Sequence, residues 1–80
     1  MFYVYIIQSL EYPDQIYVGN TQDLKKRITN HNCGTTSHTA KYRPWELVMY
    51  LAFNRKNQAI EFEKYLKSHS GRAFAAKRLL

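Results

Sequence analysis

Hydrophobic side chains fill the start of the chain on both alternating faces. Residues 2–8 (FYVYIIQ) are aromatic or β-branched almost throughout, which indicates a strand buried on much of both sides. Period two places Phe2, Val4 and Ile6 on one face and Tyr3, Tyr5 and Ile7 on the other. A turn region at 9–15 leads to a second strand at 15–19, and so short a connection predicts an antiparallel hairpin. That pairing brings Tyr3 or Tyr5 near Tyr17.

Gly19 and the polar residues after it predict a change from strand to helix. We expect Gly19 to end the strand in a tight turn, where a side chain would obstruct the backbone or a ligand. Three residues suit a helix N-cap, namely Asn20, Thr21 and Asp23. In the helix that follows, Leu24 and Ile28 lie four residues apart and are predicted to face the core.

The second half of the chain divides into segments of different pattern. These are a polar loop at 32–43, a third strand at 45–53, a helix at about 55–68 capped by Asn54, a break at Ser70–Gly71, and a short basic helix at 73–80. A loop of twelve residues is long for so small a domain, and such loops are often functional. Thr35–Thr39, including His38, are therefore candidates to touch a substrate.

A carboxylate falls on the apolar side of the helix at 55–68. At about 100° per residue, the apolar residues Ala59, Phe62 and Leu66 share one sector. Glu63 lies inside this sector, whereas Glu61 points nearly opposite. A carboxylate aimed at the core has to be paired, protonated or bound to a cation. The ordinary interpretation is a salt bridge to Arg27 or a lysine, and the sharper one is a metal ligand.

Composition and charge narrow the class of protein. Eighty residues indicate one domain, residues 1–80. The seven tyrosines exceed what a small core needs, so some are expected to be exposed and functional. Twelve Lys and Arg against six Asp and Glu give a net charge of +6, which suits an anionic partner such as nucleic acid. A merely basic protein is the alternative.

Cys33 is the only cysteine, which excludes an internal disulfide and a cysteine-based zinc site. We interpret it as incidental, with a nucleophilic pairing to His31 or His38 as the minor alternative. The chain shows no leader pattern and no long apolar run. The expected location is therefore the cytoplasm, with no membrane contact.

Five side chains together suggest phosphate chemistry. They are Tyr5, Tyr17, Arg27, His31 and Glu63. Arg27 and His31 lie one helical turn apart on the same face. An arginine can neutralise charge on phosphorus in the transition state, and a histidine can orient the phosphate or move a proton. One carboxylate cannot form a closed cage, but Mg²⁺ accepts one carboxylate with waters and a phosphate oxygen. A tyrosine would position or deprotonate water, although its ordinary pKa is about 10.

Several segments of the chain match a known family in order. They are Tyr3-Val4-Tyr5, Tyr17-Val18-Gly19, the Arg27 to His31 spacing, the segment RPWELV at 43–48, the segment AIEFEKYLK at 59–67, and GRAF at 71–74 followed by Lys77-Arg78. In these features the chain resembles the GIY-YIG endonucleases, especially the short stand-alone bacterial type related to the nuclease domain of the UvrC repair protein. Each motif alone is weak, but their order along nearly the whole chain is specific.

The resemblance implies an α/β (α+β) sandwich in which helices flank a three-stranded antiparallel sheet. It implies hydrolysis of DNA phosphodiesters with a single Mg²⁺ or Mn²⁺, in repair, recombination or processing of structured or single-stranded DNA. In the family's terms, Tyr17 would activate water with help from Tyr5. Arg27 would stabilise the phosphate, His31 would contact it, and Glu63 would hold the metal.

Two positions depart from the family pattern. Tyr3 replaces the first signature glycine. Asn20 stands where some relatives carry a lysine, so a second cationic stabiliser is absent there, and Lys25, Lys26 or Lys41 are candidates to replace it. The residues expected to track a DNA backbone are Lys25, Lys26, Lys41, Arg43, Arg72, Lys77 and Arg78, with simple solvation of the surface as the alternative.

Two other functions stay open at this point. A non-catalytic nucleic-acid-binding module would keep the fold and the charge without cleaving. A protein-interaction domain would use its exposed tyrosines as the contact. The expected partner is DNA in duplex, branched or single-stranded form, and a homodimer or a protein partner would supply any specificity beyond the loops.

Overall fold

A computed structural model describes all 80 residues, and its strands and longer helices follow the order expected from the sequence. The elements are β1 (Phe2–Ser9), β2 (Ile16–Thr21), α1 (Leu24–Cys33), α2 (Ser37–Ala40), β3 (Trp45–Phe53), α3 (Lys56–Lys67) and α4 (His69–Arg78). The strands form one antiparallel sheet in the order β2-β1-β3, with β1 in the centre. This confirms the predicted α+β sandwich and the β1–β2 hairpin.

The central strand is buried on both faces, as its unbroken apolar pattern predicts. One face of the sheet packs against α3 and α4 through a core of Val4, Ile6, Ala59, Leu66 and Ala75. The other face carries Tyr5, Ile7 and Trp45, against which Leu24 and Ile28 of α1 pack. Alternation along β1 therefore sends neighbouring side chains into two separate layers.

Four local predictions were wrong: the end of β2, the loop at 32–43, the cap of α3 and the break before α4. Strand β2 continues to Thr21 because Gly19 pairs with Tyr5, so Gly19 does not end it. The loop at 32–43 contains the short helix α2. Arg55, not Asn54, is the N-cap of α3.

The break near the C-terminal end lies at Ser68, not at Ser70–Gly71. Its hydroxyl donates to the Tyr65 carbonyl at 2.6 Å and accepts from the Gly71 amide at 3.1 Å. One side chain thus ends α3 and caps α4. Of the three N-cap candidates before α1, Asp23 is the cap, and it accepts from the Lys26 amide at 3.0 Å.

None of the four helices combines the length and apolar character that crossing a bilayer requires.

Candidate active site

The candidate site lies at the free edge of β2, where side chains from both helical layers meet. Tyr17 lies on the α1 side of the sheet, in the layer of Tyr5. Val18 and Asn20 lie on the α3 side, opposite Ile6 and Val4 in the β1–β2 register. An edge strand has no neighbour beyond it, so groups from the two sides can approach each other around it.

Gly19 makes room for the Tyr5 phenol. The two residues face each other across the β1–β2 pair, and a Cβ on Gly19 would lie 2.6 Å from the Tyr5 hydroxyl and 3.0 Å from the Tyr17 ring. Atoms cannot approach this closely, so any side chain at 19 would displace the phenols. The sequence correctly predicted that a side chain at 19 would obstruct a close approach. The group that approaches is the Tyr5 phenol, not the backbone of a tight turn.

A chain of hydrogen bonds links Tyr5 to α2. The Tyr5 hydroxyl lies 2.8 Å from His31 Nε2, and His31 Nδ1 lies 2.7 Å from Thr39 Oγ1. Thr39 donates its own proton to the Thr36 carbonyl, so it accepts from His31 Nδ1–H. That tautomer leaves Nε2 to accept the Tyr5 proton. His31 is completely buried and contacts the Tyr5 hydroxyl from the interior; its expected contact with a phosphate stays a prediction.

Burial sets the protonation states of the hydrogen-bonded side chains Tyr5 and His31. It lowers the pKa of His31 from its ordinary value of 6.5, with the positive charge of Arg27 adding to the effect. Burial also raises the pKa of Tyr5 above its ordinary value of 10.0, although the hydrogen bond from Arg27 opposes the shift. At neutral pH the neutral phenol of Tyr5 therefore donates to the neutral imidazole of His31.

Arg27 connects the hydrogen-bonded residues Tyr5, His31 and Thr39 to the surface. Its Nε donates to the Tyr5 hydroxyl at 3.4 Å, and the side chain is partly exposed. The hydrogen bond to Tyr5 raises the pKa of Arg27, and weaker interactions with Tyr17 add to the shift. The guanidinium is thus a fixed positive charge beside both phenols.

Tyr17 is the phenol that solvent can reach. It is partly exposed, whereas Tyr5 is fully buried. Its ring centroid lies 6.4 Å from that of Tyr5, 5.0 Å from the His31 ring and 5.8 Å from the exposed His38 ring. Of these two phenols, only Tyr17 is open to solvent, with Tyr5 buried behind it.

Glu63 approaches from the opposite layer. Its side chain is 15% exposed, so the predicted position on the apolar side of α3 is confirmed. One carboxylate oxygen accepts from the Asn20 amide, and the other lies 2.8 Å from Lys67 Nζ. The lysine salt bridge foreseen as the ordinary interpretation therefore forms, and Lys67 supplies it. Glu61 is exposed, as expected.

The donor set suits an aquated divalent ion. No group of three or more His, Cys, Asp or Glu could cage a metal, so a metal held here would have Glu63 as its single carboxylate ligand. Mg²⁺ and Mn²⁺ take oxygen ligands and keep waters when one carboxylate and a substrate phosphate complete the shell. Glu63 could hold such an ion once its bonds to Asn20 and Lys67 yield.

Two of the predicted DNA-binding residues border the Tyr17 surface. An open cleft of about 570 Å³ beside β2 is lined by Tyr17, His38, Lys67 and Arg72, over an apolar floor that includes Leu66. Lys41 borders a smaller depression on the other side of Tyr17.

The other basic residues lie elsewhere. Lys25 borders a separate depression with Tyr3 and Tyr50. The Arg43 guanidinium lies against Gly34, where a Cβ would clash with it. The exposed residues Lys26, Lys77 and Arg78 line none of these depressions.

Sequence reasoning did not identify two residues of the site. Thr39, predicted only as part of a loop that could touch substrate, is buried and orients His31. Lys67 was recognised only as part of a motif, and no local signal distinguishes it from other lysines. Cys33 is exposed and both nitrogens of His31 are engaged, so a Cys33–His31 pair does not form.

The fold and the residues at the edge of β2 together define a small nuclease-type domain. Residues 1–77 match the family model described as the GIY-YIG catalytic domain, and the chain belongs to the GIY-YIG family, a family of endonucleases. Members of this family typically use a divalent metal.

Within the family the chain is similar to the UPF0213 proteins. Proteins of this name from Streptococcus pyogenes serotypes M3 and M12 are each 33% identical over 72 residues, which cover 89% of this chain and 76% of theirs. The solution NMR structure of a UPF0213 protein from Bacillus halodurans is 31% identical, has a TM-score of 0.56, and matches 96% of this chain and 84% of its own.

Proposed function

We propose that this protein is a metal-dependent endonuclease that hydrolyses DNA phosphodiester bonds with one bound Mg²⁺ or Mn²⁺. The observation that carries the proposal is the meeting of two half-sites at the edge of β2. One half consists of Tyr17 and Arg27, supported by Tyr5 and His31. The other half is the Glu63 carboxylate with its basic neighbour Lys67.

Each half has a distinct chemical task. Tyr17 is the accessible phenol; in its phenolate form, beside the Arg27 guanidinium, it would position the attacking water and take up its proton. Arg27, fixed by its bond to Tyr5, would bind the scissile phosphate and stabilise the charge that develops on it. His31 and Thr39 act indirectly, because they fix the hydroxyl of Tyr5 in the interior.

Glu63 would hold the metal ion. A bound divalent cation supplies Lewis-acid stabilisation of the phosphate and of the leaving oxygen. The side chains in this site otherwise bind and orient, which is what phosphoryl chemistry chiefly requires of a protein.

The test compares two glutamates of the same helix. Glu63→Gln removes the ligand charge with little change of shape, and Glu61→Gln makes the same change on the exposed side of α3. With plasmid, branched and single-stranded DNA in Mg²⁺ or Mn²⁺, we expect Glu63→Gln to lower the cleavage rate at least about 100-fold. Glu61→Gln should cleave at the wild-type rate.

Two results would contradict the proposal in different ways. Wild-type protein that binds DNA but cleaves none of these substrates in either metal would favour the non-catalytic binding module. Equal cleavage by wild type and Glu63→Gln would leave an endonuclease but remove Glu63 as its metal ligand.

Tyr17 is tested by a matched pair of tyrosines. Tyr17→Phe keeps the ring but removes the oxygen, whereas Tyr50→Phe makes the same change at an exposed residue of β3. We expect Tyr17→Phe to cleave about 100-fold more slowly or worse, the scale of general-base catalysis, with DNA affinity unchanged. A Tyr17→Phe rate equal to that of Tyr50→Phe would exclude the phenol as the base.

We further propose that the protein acts in the cytoplasm on structured or single-stranded DNA during repair or recombination. The open cleft beside Tyr17 and the net charge of +6 support a nucleic-acid substrate. Assaying duplex, branched and single-stranded forms of one sequence side by side would identify the preferred form.

A further inference from the structure

Lys67 belongs to the Glu63 half of the site but also approaches Tyr17 of the other half. It lies at the C-terminal end of α3, yet its ammonium reaches past the edge of β2 to within 5.9 Å of the Tyr17 ring centroid. The same ammonium lies 2.8 Å from Glu63 Oε2. This is the only salt bridge in the chain.

The Glu63 carboxylate has one neutral and one charged partner. The neutral partner is the Asn20 amide, which donates to it. Lys67 brings a positive charge to the same carboxylate from α3. The site therefore contains a second cation besides Arg27, delivered from a different element.

The Glu63 carboxylate cannot keep its full ion pair with Lys67 while it also coordinates a metal ion. The lysine side chain is 50% exposed, and a solvent-accessible ion pair of this spacing is weak. A divalent ion that binds Glu63 would therefore displace the ammonium at little cost. The displaced ammonium then faces Tyr17 and the cleft, where the phosphate would lie.

We propose that Lys67 is the second phosphate-contacting cation of this site, held by Glu63 in the metal-free protein and transferred to the DNA when the metal takes the carboxylate. This inference rests on the proposed function for the identity of the ligands. It makes metal and DNA binding cooperative, because each favours the state that the other requires.

The first measurement is metal binding without DNA. Titration of Mn²⁺ followed by its electron paramagnetic resonance signal is expected to show equal or tighter binding in Lys67→Met, because the competing ammonium has gone. Glu63→Gln should lose the binding. Weaker Mn²⁺ binding in Lys67→Met would overturn the proposal, since it would mean that Lys67 serves to orient the carboxylate.

The second measurement is the salt dependence of DNA binding, with phosphorothioate DNA that resists cleavage. Each lysine–phosphate contact contributes about 0.9 to the slope of log affinity against log salt on duplex and about 0.7 on single strands. In Mn²⁺, Lys67→Met should reduce the slope by about this amount. In EDTA, where Glu63 still holds Lys67, the reduction should be much smaller.

Two further variants make the result specific. Lys64→Met removes an exposed lysine of the same helix, and its effect should be the same with and without Mn²⁺. Lys67→Arg should restore the slope. If Lys67→Met and wild type have equal slopes in Mn²⁺, Lys67 is only a surface ion pair.

Neither measurement depends on cleavage. If the wild type proves not to cleave DNA, the proposed function fails, while the metal and salt titrations still decide the role of Lys67.

Discussion

The protonation of His31 links the candidate site to the pH dependence of the free energy of unfolding. Its lowered pKa, caused mainly by burial, means that the unfolded chain binds a proton at a higher pH than the folded chain does. Above the ordinary pKa of 6.5 the imidazole is neutral in both states and contributes no pH dependence. Below it, the free energy of unfolding falls as the pH falls, until the lower folded-state pKa is passed.

This sign can be measured by urea unfolding between about pH 8 and pH 5. His31→Gln should lose a dependence of up to about 1.4 kcal/mol per pH unit, while His38→Gln, which alters an exposed ring, should keep it. Equal pH dependence in wild type and His31→Gln would show that the imidazole is not held neutral in the folded protein.

At the scale of elements, the packing of α3 against α4 depends on one glycine. Gly71 is buried in α4, and a Cβ there would overlap the Tyr65 carbonyl and lie 2.7 Å from the Leu66 Cα. Both of these atoms are backbone and cannot rotate away. The close approach of the two helices also covers Leu66, next to Lys67.

Gly71→Ala should therefore destabilise the fold, although alanine has the better helix propensity. Overpacking of this kind costs about 2 kcal/mol, which corresponds to a Tm about 10 °C lower for a domain of this size. Ser70→Ala, at an exposed neighbour in the same helix, should change stability by less than about 0.5 kcal/mol. Thermal unfolding by circular dichroism checks both, and equal Tm values would mean that the helices can separate without penalty.

At the scale of the whole molecule, the structure divides the basic residues into two groups. Lys41 and Arg72 flank the Tyr17 surface, whereas Lys25 lies beside Tyr3 and Tyr50. If DNA crosses the site, only the first group lies on its path. The net charge of +6 would speed the approach of DNA, whereas Lys41 and Arg72 would contact its phosphates once it is bound.

The double variant Lys41→Met/Arg72→Met should reduce the salt slope of DNA binding by about 1.4 to 1.8, one contact for each residue. Lys25→Met removes a similar exposed charge and should leave the slope nearly unchanged. Fluorescence anisotropy over a range of salt concentrations measures both. A slope reduced equally by Lys25→Met and by each single change at Lys41 or Arg72 would indicate a diffuse interface.

Local patterns in the sequence were sufficient to predict most of the elements and two layers of the core. The alternation in residues 2–8 predicted a strand buried on both faces, because period two is a property of the extended backbone itself. The helical position of Glu63 followed in the same way from the geometry of α3. The cap of α1 was likewise narrowed by near neighbours to Asn20, Thr21 or Asp23. These features depend on residues a few positions apart, which the sequence shows directly.

Tertiary structure alone decided the features that depend on contacts between distant residues. Gly19 continues a strand because Tyr5 lies across from it, and Thr39 belongs to the site because α2 packs beneath His31. Lys67 differs from the other exposed lysines because it lies at the free edge of β2, where its ammonium is close to the Tyr17 ring. A local pattern determines which way a side chain points along its own element, but the neighbour it meets there depends on how the elements pack.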